Sequence, residues 1–412
     1  MRSNEKDGAP RNACATGSHA SSRYSGPLRL GLLALLVSGI TITGCNGGAD
    51  RVASSLTPPV DNSAIDDAET PGATLVAPTL IFVGTYDGSG QAVHPDAVVF
   101  PDSWRGRKYW VSATPYPLGN PKFENPSIYQ GYRAQQMSVP TGVMNPLAVP
   151  GALGGYLSDP DMLYDPDRDQ LRMYYRQTTE SADLLFLMRS DNGVQWSAPQ
   201  RVVTGDRYGL ISPAIVRESA TAWRMWSVSA IPQGCYSLNA ELQVTQRRSR
   251  DGLAWSAPEP VSLRIRGAVP WHLDVQYVPA KQEYWALIAA YPEGTSCSRT
   301  AIYFARSTDG TEWKVAPTPL LGPNEFGPMN DLVYRSSFHY HEGSDAISVW
   351  FSGAHLGDGG FHMAMASARY PYADFLRKVE STPSPTRIER ECFEQLSVEL
   401  LSARTSFEQG FP

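Results

Sequence analysis

The chain has 412 residues, of which 18% are charged, and a formal net charge of −6 at neutral pH. It lacks a basic block that could neutralise a phosphate backbone, which argues against nucleic-acid binding. Glycine (35), proline (33), tyrosine (20) and tryptophan (10) are abundant. Aromatic residues fit pleated, half-buried strands, and glycine and proline mark turns. The composition therefore predicts strands and turns rather than helices.

The N-terminal segment has the pattern of a targeting signal. Arg23 and Arg29 precede the apolar run LGLLALLVSGITI at 30–42, and TGC follows, ending at Cys45. The run is too short to cross a bilayer as a mature helix and fits the apolar part of a signal peptide. ITGC resembles the bacterial lipoprotein box, and the alternative is a plain secretory signal with a chance cysteine. We expect a lipoprotein signal peptide at 1–44 and lipidation of Cys45.

The resemblance to a lipoprotein implies a location in the bacterial cell envelope, with the membrane contacted through the lipid anchor alone. The next segment, 45–76, is small, polar and without periodicity, so we expect a disordered tether. The protein is expected to be a monomer.

A turn-like phrase occurs three times, as RSDNGVQWSAP, SRDGLAWSAP and RSTDGTEWKVAP. Its tryptophans, Trp196, Trp255 and Trp313, are spaced by 59 and 58 residues. Met137 stands 59 residues before Trp196 in a degenerate copy. A spacing this regular indicates a repeated structural unit.

Aligned on the tryptophans, five repeats each show four short strands joined by tight turns. Five such units predict an all-β, five-bladed β-propeller over 77–380; an open solenoid is the alternative. The segment 79–84 (TLIFVG) is expected to close the ring against the last blade. Apolar residues at helical spacing predict a short helix in the tail, 381–412. These residues are Ile388, Cys392, Leu396 and Leu400.

Cysteine positions predict one disulfide, because an exported chain can form such bonds. Cys235 follows SAIPQG and Cys297 follows AYPEGTS, so the two lie in matching loops of successive repeats. We expect them to be bonded and Cys392 to be free, with two unpaired buried thiols as the alternative.

The repeated phrase is expected to be structural. Asp251 or Asp309 can bond backbone N–H groups of its own turn, and Gly252 or Gly310 supplies a left-handed conformation. The tryptophan is expected to pack between strands.

The first strands of the five repeats place polar residues in two columns facing the propeller axis. The columns are two residues apart, on the same side of each strand in a regular strand. Charged groups so placed are costly without a partner or ligand, which makes the axis the strongest functional signal. The first column is His94, Asp159, Ser212, His272 and Arg335. The second column is Asp96, Asp161, Ala214, Asp274 and Ser337.

Loops between the second and third strands are expected to reach the same face. They add acidic, aromatic and imidazole side chains suited to a carbohydrate, whose C–H faces stack on rings and whose hydroxyls bond carboxylates. These residues are Tyr116, Glu124, Tyr291, His355 and His362, with Trp271 beside His272.

The stretch from about 80 to 369 resembles the five-bladed propellers of glycoside hydrolase families 43 and 32 and their uncharacterised relatives. The resemblance rests on HPDAVVF, TPYPLGNPKFENPSI, SDPDMLYDPDRDQLRMYYR, WHLDVQYVPAKQEYW and the SxDGxxW turns, which also resemble the Asp-box of sialidases. It implies a base Asp, an orienting Asp and an acid Glu on blades one, two and three. Asp159 matches the blade-two position, whereas His94 and Ser212 occupy the other two.

A reassigned glycosidase mechanism uses two carboxyl groups. We expect Asp96 or Asp159 to be the base and Asp274 or Glu124 the acid. Other axial and loop residues would bind the sugar, and Arg335 would hold a substrate carboxylate or a catalytic Asp. The expected sugar-binding residues are His94, Asp161, His272, Trp271, Arg335, Tyr116 and Tyr291.

Two other functions remain open from the sequence. A non-catalytic carbohydrate-binding propeller is favoured by the missing blade-three Glu; a protein-interaction scaffold fits the fold but does not explain the acidic axis. No cofactor is expected, although a metal site built from His94, Asp96, His272 and Asp274 is chemically reasonable.

Overall fold

Five four-stranded antiparallel sheets make up the computed structural model, which describes residues 74–231, 234, 242–295 and 297–381. The described chain begins with strand β1 (Val76–Ile81). Blade one contains Ala92–Trp104 (β2), Arg107–Pro115 (β3), Ser127–Arg133 (β4) and Gln136–Ser138 (β5). Blade two contains Tyr156–Asp165 (β6), Gln170–Thr178 (β7), Ala182–Ser190 (β8) and Gln200–Asp206 (β9).

The remaining blades repeat this order. Blade three contains Ile211–Ser219 (β10), Ala222–Ser229 (β11), Gln243–Ser249 (β12) and Glu259–Pro260 (β13). Blade four contains Ala268–Val278 (β14), Glu283–Pro292 (β15), Ala301–Ser307 (β16) and Lys314–Val315 (β17). Blade five contains Leu332–His341 (β18), Ala346–Gly357 (β19) and Gly360–Pro371 (β20). The five-bladed propeller predicted from the tryptophan spacing is thus confirmed.

Blade five takes its fourth strand from the beginning of the described chain. β1 pairs with β20 in an antiparallel register that sets Thr79 opposite Ser367 and Ile81 opposite Met365. The expected ring closure by segment 79–84 is confirmed, with the strand displaced by three residues toward the N-terminus. β1 is thus the outermost strand of blade five, and it gives that blade four strands like the others.

One α-helix occurs in the described part of the chain, at Tyr372–Val379 (α1), directly after β20. Phe375 and Val379 bury its apolar face against blades four and five. The helix predicted around Ile388 to Leu400 lies outside the described residues, as do the signal peptide and nearly all of the tether. No helix of the described residues has the length and apolarity needed to span a membrane.

The hydrophobic core is divided into layers between neighbouring blades. For example, Trp110 of blade one packs with Met173 of blade two, and Trp226 of blade three packs with Ile288 of blade four. Trp350 of blade five lies in one layer with β1 and blade one. The aromatic and branched residues of the strands therefore hold the blades to each other, which fixes the position of the axis.

The repeated turn phrase has the structural role expected. Asp251 accepts hydrogen bonds from the backbone N–H groups of Leu253 (2.8 Å) and Ala254 (3.0 Å), and Gly252 has a φ of +73°. The turn also joins blades, because Tyr174 of blade two donates to the Gly252 carbonyl at 2.9 Å. A Cβ at Gly252 would lie 2.5 Å from the Tyr174 hydroxyl, so glycine is required there.

Cys297 is the only cysteine among the described residues. Cys297, in the loop after β15, is half-buried and forms a disulfide. Its expected partner, Cys235, lies outside the described residues, as do Cys45 and Cys392. The Cys235–Cys297 pairing stays a prediction.

Candidate functional site

Each innermost strand carries a β-bulge where the first column meets the axis. In β2, β6 and β10 the bulge contains a left-handed residue: His94 (φ 55°), Asp159 (φ 51°) and Ser212 (φ 48°). A proline follows each of the three. Bulges re-aim side chains, and non-glycine residues in this strained conformation concentrate at functional sites. The bulges therefore separate the first column from the second. We call His94, Asp159, Ser212 and His272 the upper tier, and the second column together with Arg335 the lower tier.

The upper tier consists of His94, Asp159, Ser212 and His272, all buried. Asp159 Oδ1 is its centre, lying 3.5 Å from His94 Nε2 and 3.3 Å from His272 Nδ1. The Ser212 hydroxyl lies 2.6 Å from His272 Nδ1 and donates to Asp159 Oδ1 at 3.3 Å. Serine and aspartate contact the same nitrogen of His272, so these residues do not form a Ser-His-Asp relay, which needs opposite ring nitrogens.

Asp159 is held ionised by its neighbours. Burial alone would raise the pKa of its carboxyl, but the charge of Arg176 and the hydrogen bond from His272 outweigh burial and hold that pKa well below its usual value. Arg176 Nη2 lies 2.9 Å from Asp159 Oδ2, on the side away from the histidines. The carboxylate thus keeps a negative charge inside the protein.

The two upper-tier histidines are neutral electron-pair donors. Burial is the main cause that lowers the pKa of His94 and of His272, against the opposing effect of Asp159. Nε2 of each ring is buried and lacks a hydrogen-bond partner among the described residues. Unpaired nitrogens of this kind cost free energy unless a ligand satisfies them.

The upper tier can hold a metal ion. One ligand atom from each of His94, Asp159 and His272 lies within 4.8 Å of the other two. Two imidazoles and one carboxylate suit a divalent transition metal, and the unpaired Nε2 of His94, 3.5 Å from Asp159 Oδ1, fits such an ion. The mixed metal site that was chemically reasonable from the sequence does not come together, because Asp96 and Asp274 belong to a separate acidic cluster with Asp161.

Glu124 reaches the upper tier from the loop between β3 and β4. It is buried, and its Oε1 lies 3.8 Å from His94 Nδ1, which also lies 3.0 Å from the Thr114 hydroxyl. Burial first, and then the charge of Asp159, raise the pKa of Glu124 well above its ordinary value, while Arg176 opposes them. Two carboxyl groups with opposite pKa shifts therefore share the site, a pattern typical of acid–base chemistry.

Aromatic rings surround the histidines. The Tyr334 ring lies 4.4 Å from that of His272 and 5.2 Å from that of His94, and Trp271 lies 5.4 Å from His272. Tyr291 is buried, and its ring centroid lies 6.5 Å from that of Trp271. It therefore packs against Trp271 and does not present an open ring face to a sugar. Tyr116 packs near Tyr334.

Tyr334 was missed by the column alignment because it precedes the aligned residue of blade five, Arg335. Burial, followed by Tyr116 and Glu124, raises the pKa of the Tyr334 phenol well above its usual value, so the hydroxyl keeps its proton. The bulge after Val333, where two residues of β18 face one of β19, is what brings Tyr334 to the axis.

The lower tier fastens neighbouring blades. Asp161 Oδ2 accepts the backbone N–H of Ile215 at 3.2 Å, and Asp274 Oδ2 accepts that of Phe338 at 3.3 Å. Asp96 accepts the backbone N–H of Met162 in the same way. Ser337 completes the pattern by accepting the N–H of Ala97 at 3.1 Å. Blade three has Ala214 at this position and makes no such contact through its side chain.

Arg335 is fully buried beside the lower tier. Its Nη1 donates to the Pro160 carbonyl at 2.7 Å, and Nε and Nη2 have no hydrogen-bond partner among the described residues. Burial raises the pKa of Asp96, Asp161 and Asp274, and the Arg335 charge opposes it in each. For Asp274 the pKa rises to about 8.

The structure thus divides the residues predicted for the site. It brings His94, Asp159, His272 and Glu124 together, with Trp271 beside them. Asp96, Asp161, Asp274 and Arg335 lie in the lower tier, where their bonds to backbone groups are structural contacts. His355 and His362 stack at 5.1 Å on the hairpin between β19 and β20, apart from both tiers. The predicted catalytic and sugar-binding roles of all these residues stay predictions.

Comparison with known proteins gives one sequence relative. The chain is 28% identical over 313 residues to a protein of Flavonifractor plautii named A type blood N-acetyl-alpha-D-galactosamine deacetylase. The match covers 64% of this chain, and the chain spans only 40% of the length of that relative. No family model matches the chain.

Solved structures show the same fold. An N-acetylgalactosamine deacetylase from F. plautii, in complex with blood group B trisaccharide, superposes with a TM-score of 0.67 at 24% identity, covering 74% of this chain and 98% of that one. A GH43_1 enzyme from Xanthomonas citri gives a TM-score of 0.50 at 13% identity, covering 68% of this chain and 92% of that one. The expected resemblance to five-bladed carbohydrate-active propellers is confirmed at the level of the fold.

Proposed function

We propose that this protein is a carbohydrate-active hydrolase that removes the acetyl group from an N-acetylated sugar, with a divalent cation bound by the upper tier. The observation that carries the proposal is the convergence of His94, Asp159 and His272 beside buried Glu124. Neutral imidazoles with unpaired Nε2 atoms serve a metal better than they serve a glycosidase. The name of the F. plautii relative supports the same reaction class.

A bound divalent cation would act as a Lewis acid toward the acetyl carbonyl and lower the pKa of water. The protein's own groups would do the rest. Glu124 takes a proton from the attacking water, whose oxygen bonds to the acetyl carbon. The C–N bond then breaks, Glu124 returns the proton to the sugar nitrogen, and acetate leaves.

Tyr334 is suited to stabilise the transition state. Its phenol stays protonated, so it can donate a hydrogen bond to the carbonyl oxygen as negative charge develops there. Trp271, Tyr334 and Tyr116 supply apolar ring surface for the sugar. A neutral N-acetylated sugar needs no charged side chain for binding. This agrees with the contacts of Arg176, which is occupied by its ion pair with Asp159.

The pKa of Glu124 suits this role. A carboxyl of raised pKa, such as that of Glu124, accepts a proton from water more readily than an ordinary carboxyl. The base must be ionised, so activity is expected to fall as pH drops through the raised pKa of Glu124.

A glycosidase is the second candidate, because the site pairs a carboxyl of raised pKa, Glu124, with an ionised one, Asp159. That division between acid and base resembles the one glycoside hydrolysis requires. The predicted participation of Asp96 and Asp274 receives less support, since both bond backbone groups in the lower tier.

One assay separates the candidates. The purified protein, stripped with chelator and resupplied with Zn²⁺ or Mn²⁺, is incubated with a panel of N-acetylated oligosaccharides. Released acetate and new reducing ends are measured in parallel. Metal-dependent acetate release supports the deacetylase. Reducing ends without acetate would favour the glycosidase, and binding without either product would favour a carbohydrate-binding protein.

We further propose, from the sequence alone, that the protein is a monomeric cell-envelope lipoprotein anchored at Cys45, with Cys235 bonded to Cys297. Mass spectrometry of the mature protein tests both. An unmodified thiol at Cys45 would contradict the anchor, and a Cys297 disulfide to any other cysteine would contradict the pairing.

A further inference from the structure

Arg176, on β7, lies opposite Ser158 of β6, next to Asp159, and makes contacts in three directions. Its Nη2 lies 2.9 Å from Asp159 Oδ2 and donates to the Ser158 hydroxyl, also at 2.9 Å. Its Nη1 lies 3.4 Å from Asp183 Oδ2. Ser158 in turn donates to Asp159 Oδ2 at 3.1 Å. All of these side chains are buried.

Asp183, on β8, is itself fixed in place. Its Oδ1 accepts the Thr178 hydroxyl at 2.8 Å, and its Oδ2 accepts the backbone N–H of Leu210 at 3.2 Å. The guanidinium of Arg176 therefore sits between two carboxylates, one anchored to the scaffold of blades two and three and the other, Asp159, in the site. Planar guanidinium groups transmit orientation well because their donors are in fixed positions.

The two oxygens of Asp159 therefore have different neighbours. Oδ2 receives Arg176 and Ser158, whereas Oδ1 faces His94, His272 and Ser212. A carboxylate free to rotate would exchange its two oxygens and lose this selectivity.

We propose that Arg176, backed by Asp183, is the positioning residue that presents Asp159 Oδ1 to the cation of the upper tier. The inference rests on the proposed function, since it assumes that the upper tier binds a metal. In this proposal Arg176 and Asp183 orient a metal ligand and do not themselves contact the metal. Outer partners that orient metal ligands usually change metal affinity about 10- to 100-fold when removed.

The chain contains a matched control on the same strand. Arg172, four residues before Arg176 on β7, is equally buried and lies 2.8 Å from Asp165 Oδ2, far from the upper tier. Replacing Arg172 breaks the same type of ion pair without touching Asp159. A loss of metal affinity that occurs equally on replacing Arg176 and Arg172 would then reflect lower stability and not the orientation of Asp159.

The experiment measures Zn²⁺ and Mn²⁺ dissociation constants by calorimetry on chelator-stripped protein. The variants are Arg176→Gln, Arg176→Lys, Asp183→Asn and the control Arg172→Gln, each tested for cooperative melting. We expect 10- to 100-fold weaker binding for Arg176→Gln, a smaller loss for Arg176→Lys and Asp183→Asn, and wild-type affinity for Arg172→Gln. If Arg176→Gln does not fold, Asp183→Asn decides.

Each outcome decides the proposal. Unchanged affinity in Arg176→Gln, or an equal loss in Arg172→Gln, would overturn the positioning role and leave the proposed function standing. Absence of metal binding by the wild type would overturn both. Metal binding without acetate release would contradict the proposed reaction alone, while the four affinities would still decide the role of Arg176.

Discussion

The upper and lower tiers come from the same innermost strands, only two residues apart, yet they use carboxylates in opposite ways. Asp161 and Asp274 each accept a backbone N–H of the next blade. Asp159 contacts side chains: a guanidinium, two hydroxyls and two imidazoles. Backbone partners are part of the scaffold, whereas side-chain partners leave room for a ligand. The comparison separates residues that hold the axis together from residues available for chemistry.

The electrostatics of the two tiers differ for the same reason. Burial raises the pKa of the lower-tier carboxyls because the opposing charge of Arg335 is shared among three of them. Asp159 has Arg176 in direct contact, so its pKa is lowered despite equal burial. The upper tier therefore has a carboxyl of lowered pKa, and the lower tier has carboxyls of raised pKa.

The largest expected effect is on turnover in the upper tier. Glu124→Gln removes the proposed base and keeps its shape, so acetate release should fall about 10²- to 10⁴-fold. Melting temperature and metal affinity should stay near wild type, as should the exposed control Glu312→Gln in every measurement. An equal loss of turnover in Asp161→Asn would show that the tiers are not functionally distinct.

The next effect is on stability in the lower tier. Asp161→Ala leaves the buried N–H of Ile215 without its acceptor, which should lower the free energy of unfolding by about 1–3 kcal/mol. Denaturant unfolding measures this, and Zn²⁺ affinity should be unchanged. If Asp161→Ala were as stable as wild type but did not bind metal, the structural role given to the lower tier would be wrong.

A pH-dependent effect on stability is expected from Asp274. Its pKa is about 8 in the folded protein and close to 3.8 when unfolded, so its neutral form stabilises the fold below pH 4. That contribution is lost as pH rises toward 8. Asp274→Asn, which keeps an acceptor for Phe338, should melt progressively higher than wild type from pH 5 to pH 8.5. A constant difference across this range would contradict the raised pKa.

The smallest effect is expected in the turn phrase, away from both tiers. Asp251→Ala removes the acceptor of two backbone N–H groups in an exposed turn, and should cost about 0.5–1.5 kcal/mol of unfolding free energy. Turnover and metal affinity should not change. Loss of activity greater than the loss of folded protein would contradict a purely structural turn.

The fold was predictable because the tryptophan spacing gives the repeat length directly. The turn phrase also set the alignment that placed His94, Asp159 and His272 at one level of the axis. The division into two tiers was not predicted, since the alternation rule puts residues two apart on the same side of a regular strand. The bulges break that rule at the first column.

A signal for the bulges was present in the sequence. HPD, DPD and SPA each place a proline directly after the first-column residue, and proline inside a strand is confined to edges and bulges. Arg176 was missed for another reason: only first strands were compared, and Arg176 belongs to a second strand. A signal was present in β7, where two arginines, Arg172 and Arg176, stand in the strand sequence LRMYYRQ, because charged residues inside a buried strand need partners.

The pairing of β1 with β20 also constrains how the protein is made. Thr79 leaves the ribosome near the start of the domain, but its partner Ser367 leaves near the end. At ordinary rates of translation, β1 must wait on the order of tens of seconds before its binding edge exists. During that time the first blade is complete while the ring is open, with the inner faces of its neighbours exposed. Exported chains that fold after synthesis avoid this interval, because both ends of the ring are then available at once.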